Sequence, residues 1–291
     1  MISTTELRGL IQANQMAQSD ITGAGGFIAC VRVERRVSNF LEREMDYVIS
    51  ASYGNDSMAM VRWAYEQGLK NVVVAYCDTG WASPGWWQKV GAGETAAKAM
   101  GFEVVQLKSM GMAELVRLKR GFPGNGKQQF CTMHLKGVPF LQWLDDADPE
   151  CKAVVMVGKR REESEARKDT PEFVKDSEYH GGRTLWHPLY LHTEAERDAL
   201  LQRAGIEKLP HRSKECSPCV NANRSDFLRL TPGEVERVND LEVEIARPMF
   251  RAKRFGALGI HGVMAWAKDG RNRPSFEEEE ESCSGLFGCG T

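Results

Sequence analysis

The sequence predicts an α/β fold: a mostly parallel sheet flanked by helices, with a small Cys-containing region toward the C-terminus. Three observations carry this. Short apolar runs at residues 47–50, 72–76, 102–107 and 153–157 alternate with stretches of helical spacing. The run at 72–76 is apolar throughout, as strands covered on both faces are. The 291 residues, 42% hydrophobic and 27% charged, give an ordinary globular composition and enough length to bury a core.

The elements follow in order. Residues 1–45 form an N-terminal extension in which Gly23-Ala24-Gly25-Gly26 breaks any helix, before a charged amphipathic helix over 31–45. A strand at 47–50 runs into a polar loop, then helical spacing from Ser57 through Tyr65 with a stop at Gly68. The strand at 72–76 ends in Cys77-Asp78-Thr79-Gly80, and a helix over 84–100 closes at Gly101. The third strand is 102–107, and the fourth, 153–157, ends at Gly158. Capping boxes at Thr193/Glu196 and Thr231/Glu234 start two later helices. Five consecutive carboxylates, 277–281, repel one another and predict a solvated linker to a Cys-bearing tail. The expected organisation is therefore an extension (1–45), a nucleotide-binding α/β domain (46–208), a helical region (209–276) and the acidic linker with its tail (277–291).

Charge and composition exclude some functions. Lys plus Arg number 38 and Asp plus Glu 40, a net charge of -2, which argues against non-specific coating of DNA. No apolar stretch approaches the length of a membrane helix, and Met1-Ile2-Ser3-Thr4 lacks a basic-then-apolar leader, so a cytoplasmic location is expected. In that compartment the 8 cysteines read as reduced thiols with chemical or metal-binding roles.

Chemistry is concentrated after the first strand. In Ser50-Ala51-Ser52-Tyr53-Gly54-Asn55-Asp56-Ser57, Gly54 permits a tight turn, Ser52 and Ser57 offer hydroxyls, and a helix N-terminus follows. Such a loop cradles pyrophosphate; the competing reading is an Asn-Asp-Ser helix cap and nothing more. No Gly-x-Gly-x-x-Gly follows a strand, and Gly121-Phe122-Pro123-Gly124-Asn125-Gly126-Lys127 fails as a Walker loop because Gln128 replaces its Ser/Thr and no apolar strand precedes it. In strand-alternating sheets the ligand lies beyond the carboxyl ends of the strands. Asp78 sits there as either a site acid or a turn former, and Arg160, Arg161 and Arg167 provide guanidinium forks suited to phosphate or sulfate.

Ser52-Tyr53-Gly54-Asn55-Asp56-Ser57 resembles the Ser-x-Gly-x-Asp-Ser loop of the PP-loop ATP pyrophosphatases, which have an adenine nucleotide α-hydrolase-like fold. Three further segments resemble the phosphoadenosine phosphosulfate (PAPS) reductase branch: Asp78-Thr79-Gly80; Cys131-Thr132-Met133-His134-Leu135-Lys136 with Pro139-Phe140-Leu141; and Gly158-Lys159-Arg160-Arg161-Glu162-Glu163-Ser164 with Arg167. The resemblance spans residues 46–220 and implies an adenine nucleotide (ATP, PAPS or adenosine phosphosulfate) with Mg²⁺. It places Ser52, Tyr53, Gly54, Asn55, Asp56, Ser57, Asp78, Thr79, Gly80, Gly158, Arg160, Glu163 and Ser164 on the nucleotide, and Asp56, Arg160 and Arg167 in catalysis. Trp186-His187-Pro188-Leu189 resembles the family's apolar-Pro-apolar segment, with His187 structural.

Cys216-Ser217-Pro218-Cys219 has the spacing for two thiolates on one metal or cluster. Cys30, Cys77 and Cys151 read as small buried residues. The resemblance adds Cys131 and implies a [4Fe-4S] cluster on Cys131, Cys216, Cys219 and Cys289, with Cys283 as the other candidate fourth ligand and zinc as the alternative metal. A free tail leaves an iron open for sulfur handling. The Glu-Cys-Gly-Leu-His tail of PAPS reductases is absent, Gly288-Cys289-Gly290-Thr291 standing nearest to it, and Phe130 rather than a second Cys precedes Cys131. The single Cys131 with Thr132 and Lys136 looks closer to the DndC-type proteins of DNA phosphorothioation, which pair the ATP pyrophosphatase loop with a cluster, and related phage and mobile-element proteins share that look.

The expected activity is cleavage of ATP between the α and β phosphates, adenylation of an acceptor and sulfur transfer to it, with a nucleic-acid acceptor or a sulfur-donor protein as partner. One rival is a sulfonucleotide reductase with Cys289 as nucleophile. Another is a metal-stabilised nucleic-acid-binding module using Arg247, Arg251, Lys253 and Arg254 around Phe250 and Phe255.

Overall fold

The computed structural model describes residues 45–124, 129–209, 215–251 and 258–269. The expected helix over 31–45 (all but Met45), the acidic run at 277–281, and Cys30, Lys127, Lys253, Arg254, Phe255, Cys283 and Cys289 lie outside the described residues.

Strands β1 (Tyr47–Ser50), β2 (Val72–Asp78), β3 (Glu103–Lys108), β4 (Val154–Val157), β5 (Phe173–Ser177) and β6 (Arg183–Trp186) form one sheet in the order β3-β2-β1-β4-β6-β5. Every neighbouring pair is parallel except β5 with β6. The chain thus winds one way from β1 to β2 and β3, and β4 pairs on the opposite side of β1, which makes the carboxyl end of β1 a topological switch point. The antiparallel β5–β6 edge carries no apolar run in the sequence. Most of β5 is exposed, so no buried face imposes a hydrophobic pattern on it.

Strand side chains alternate between two apolar layers. Ile49, Val74 and Met156 pack under α1 (Asn55–Glu66), α2 (Trp86–Ala99) and α5 (Glu194–Arg203). Val48, Ala75 and Val155 face the other way, onto Phe140 and Leu144 of α4 (Val138–Ala147). Between β3 and α4 lies α3 (Met112–Lys119), and a short helical turn, Phe130–Thr132, leads through a π-helical stretch, Met133–Gly137, into α4. A third cluster joins Trp81, Leu115 and Leu135 to α6 (Arg224–Leu228), α7 (Pro232–Ile245) and α8 (Gly259–Lys268) through Phe227, Val238 and Ile260.

Both expected capping boxes form. Thr193 and Glu196 exchange hydrogen bonds at the start of α5, Thr231 and Glu234 do so at α7, and Asn223 with Asp226 adds a third at α6. Two expectations are corrected. Cys151 is exposed, because it occupies a left-handed turn (φ 55°) between α4 and β4, and the two following amides donate to the Asp148 carboxylate. Phe250 is 2% exposed and packs edge-on against Phe227 at 4.9 Å, so it belongs to the core and offers no face to a nucleobase. Among the described residues no helix is long and apolar enough to cross a membrane.

Candidate functional site

The loop after β1 turns directly into α1, which begins at Asn55, two residues before the periodicity of the sequence places it. Asn55, Asp56 and Ser57 therefore form its first turn, whose backbone N–H groups have no carbonyl of the helix itself to meet. The Ser57 hydroxyl donates to the Gly54 carbonyl at 3.1 Å, and the Leu209 amide donates to Asn55 Oδ1 at 3.0 Å. Tyr53 bends the chain with φ 58°, a left-handed conformation that a bulky residue adopts only when its surroundings hold it. Its ring is held by Gly93: a Cβ there would stand 2.3 Å from Tyr53 Cδ1. Burial, then the charge of Glu94, pushes the Tyr53 phenol well above its usual range, so it remains a neutral donor.

β4 ends beside this loop. A Cβ on Gly158 would lie 3.1 Å from the Asp56 carbonyl oxygen, so only glycine lets the two segments meet this closely. Beyond it, Arg160 Nε donates to Asp56 Oδ1 at 2.6 Å, with Arg160 4% and Asp56 1% exposed. Arg197, from the first turns of α5, brings Nη1 to 3.7 Å from the same oxygen. Arg167 and Glu163 form a second buried ion pair. Lys159 is pushed down in pKa by burial and by the Arg167 charge. The Arg/Glu cluster is thus interior rather than a solvated face. Three buried polar atoms of the loop, Ser52 Oγ, Tyr53 Oη and Asp56 Oδ2, have no hydrogen-bond partner. Ser164 Oγ is in the same condition. Buried polar atoms are normally satisfied by protein, water or ligand, so this concentration makes the loop the candidate site.

At the carboxyl end of β2, Asp78 Oδ1 accepts from the Gly80 amide at 2.8 Å and so organises the turn. Gly80 has φ 61°, and a Cβ there would approach Gly111 Cα to 3.1 Å. Thr79 donates to Glu215 Oε1 at 3.2 Å, which ties this turn to the cysteine loop. Glu215 also accepts from Tyr76 Oη at 2.8 Å and pairs with Lys136 Nζ at 2.9 Å, all of it buried. Lys136 comes from the π-helical stretch that carries on from Cys131. The Trp81 indole donates to the Pro218 carbonyl at 3.1 Å, and the Arg237 guanidinium lies 4.0 Å over the Trp81 ring. Cys131, Cys216 and Cys219 border one apolar cluster, yet among the described residues no three His, Cys, Asp or Glu side chains are arranged to hold a metal ion. Cys289 and Cys283 lie outside the described residues. His187 is buried and bonded through Nδ1 to the Pro171 carbonyl at 2.8 Å.

Reasoning from sequence missed Arg197 and Glu215, and gave Tyr76, Lys136 and Lys159 no role. The capping box places the helix carrying Arg197, but nothing local says that this helix reaches Asp56.

Comparison with known proteins adds the family. Residues 46–217 match the family model described as phosphoadenosine phosphosulfate reductase domain. A curated relative from Escherichia phage 186, an uncharacterized 37.8 kDa protein in the gpa 5' region, is 28% identical over 171 residues, which is 53% of this chain. The match covers 48% of that relative, so the chain spans about half the relative's length. Among solved structures, a PAPS reductase from Candida auris in a phosphate complex is similar at 13% identity and TM-score 0.42, over 58% of this chain and 77% of that one. NMN synthetase from Francisella tularensis is similar at 10% identity and TM-score 0.42, over 95% and 100% of the two chains.

Proposed function

The chain belongs to the phosphoadenosine phosphosulfate reductase domain family, and we propose that within this family of adenine-nucleotide enzymes it cleaves ATP between the α and β phosphates, adenylating an acceptor that then receives sulfur. The observation that carries the reading is the meeting of Asp56 and Arg160 at the switch point, beside buried acceptors that lack donors.

In this reading the pyrophosphate lies over the first turn of α1, held by backbone N–H groups of the loop and by Ser52, Gly54, Asn55 and Ser57. Asp56 Oδ2, a buried carboxylate oxygen without a partner, is the hard oxygen that Mg²⁺ prefers, so the residues present fit that ion. An acceptor oxygen attacks the α-phosphorus in line, the α–β bridging oxygen leaves with pyrophosphate, and an adenylated acceptor results. Such a step needs positioning and charge neutralisation more than a protein nucleophile. Arg160 exchanges Asp56 for phosphate as the nucleotide arrives, Arg167 offsets developing charge, and Arg197 keeps the Asp56 carboxylate in place. Tyr53, Asp78, Thr79, Gly80, Gly158, Glu163 and Ser164 shape the nucleotide pocket.

Cys131, Cys216, Cys219 and Cys289 would hold a [4Fe-4S] cluster, with zinc as the alternative metal on the same thiolates. The three described thiols do not form a metal-holding group by themselves, and no step is routed through the cluster. When bound, it supplies redox and sulfur-handling chemistry.

The family's description favours a second reading, reduction of a sulfonucleotide with Cys289 as nucleophile. Pyrophosphate release from ATP, measured beside sulfite release from PAPS and adenosine phosphosulfate, separates the two. Sulfite without pyrophosphate would overturn the first reading.

A further inference from the structure

A cavity of about 380 Å³ opens beside the paired cysteines. Three segments wall it: the start of α2 with Trp86 and Lys89, the loop with Cys216 and Cys219, and the α6–α7 junction with Arg229 and Glu234. Its volume falls near the lower end of small-molecule sites, which run from about 300 to 1,000 Å³. That suits a compound of amino-acid to short-peptide size and not a folded partner. The wall is joined to the nucleotide loop, because the Trp86 indole donates to the Ser52 carbonyl at 3.1 Å.

The chemistry of the lining is specific. Glu234 is 5% exposed, and its Oε2 accepts from Thr231 as the cap of α7. Its Oε1 is buried with no hydrogen-bond partner. Arg237, one turn along, lies within electrostatic reach of Glu234, and its own Nε is also unpartnered. A buried acceptor left this way is costly until a donor reaches it. Lys89 brings positive charge to the same cavity, Arg229 reaches it paired with Asp226, and Cys216 and Cys219 line the same volume. Carboxylate, N–H donor and sulfur are the three groups that such a lining complements.

We infer that this cavity binds a small zwitterion bearing a thiol, its carboxylate toward Lys89, its ammonium toward Glu234 and its sulfur beside Cys216 and Cys219. The role this gives the ligand, a sulfur-bearing substrate next to the adenylation site, rests on the proposed function; the binding itself does not.

The test is anaerobic calorimetry on the full chain with L-cysteine as the probe, beside L-serine, which replaces sulfur by oxygen, and cysteamine, which lacks the carboxylate. L-cysteine should bind saturably, and the other two about tenfold or more weaker. Glu234→Gln keeps the cap of α7 through its amide oxygen but removes the negative charge, and Lys89→Gln leaves the cap untouched. Each should weaken L-cysteine about tenfold, with unchanged circular dichroism and unchanged ATP affinity. Absence of saturable L-cysteine binding would overturn the inference, as would equal affinity for L-serine, or normal L-cysteine affinity in both folded variants. Loss of ATP binding with L-cysteine binding retained would count against the proposed function and leave the cavity's ligand standing.

Discussion

Asp56 and Arg160 stand 104 positions apart in the chain and 2.6 Å apart in the fold, each nearly sealed from solvent. One follows β1 and the other follows β4, so the pair is a direct product of these strands lying side by side. Each neutralises a charge that would otherwise be buried alone.

Removing one partner of a buried pair leaves the other charge uncompensated. Asp56→Ala should therefore cost about 3–5 kcal/mol, with Asp56→Ala/Arg160→Met recovering much of the loss. Urea denaturation measures both. Nucleotide binding should be lost in each, and a single variant with an unchanged midpoint would show that the pair contributes nothing to the fold.

Gly158→Ala tests how closely β4 must approach the loop. The added methyl would sit 3.1 Å from the Asp56 carbonyl oxygen and 3.2 Å from its carbon, both backbone atoms with little room to yield. About a tenfold loss of ATP affinity is expected, with the fold retained. Calorimetry showing wild-type affinity would mean that the loop tolerates displacement.

His187 sets part of the acid response. Burial pushes its imidazole down to about 4 from an ordinary value of 6.5, so the folded protein keeps it neutral while the unfolded chain protonates it first. Stability from this group is complete above about pH 6.5 and falls as the pH drops toward about 4, by up to about 3 kcal/mol. His134 and His192 are shifted in the same direction by burial and add with the same sign. His187→Asn, which preserves a donor for the Pro171 carbonyl, should flatten the slope of stability against pH in that window. An unchanged slope would show that this imidazole is not the titrating group.

Lys136 and Glu215 join the π-helical stretch to the residue before Cys216. Lys136→Met strands a carboxylate that Tyr76 and Thr79 already serve as donors, and should cost about 3–5 kcal/mol. Glu215→Gln added to it should restore most of that stability, because an amide still accepts both hydroxyls. If the double variant is no more stable than the single one, charge burial is not the cause.

Metal content decides between the two assignments of the thiols. Anaerobically purified protein should carry about four irons and four sulfides per chain, and Cys219→Ser should lose most of both. About one zinc per chain with no sulfide would exclude the cluster.

The first four strands, the helices after the first two of them, the two helices behind the Thr caps and the position of the phosphate loop were legible in the sequence. Apolar period, capping boxes and a Gly-bearing turn are local signals, and residues close in sequence suffice to produce them. The edge strand β5 left no such trace, since most of its residues are exposed and no continuous buried face selects apolar ones. Cys151 misled for a related reason: a cysteine carries no local mark of which way a turn will point it.

Tertiary structure alone decided which charges meet. Arg197 comes to Asp56 because α5 packs on the same face of the sheet as α1, and Glu215 finds Lys136 because the cysteine loop docks against the turn after β2. Sequence spacing determines what each segment becomes. Which segments then touch depends on sheet order and layer packing, and these follow from burying all the apolar faces at once.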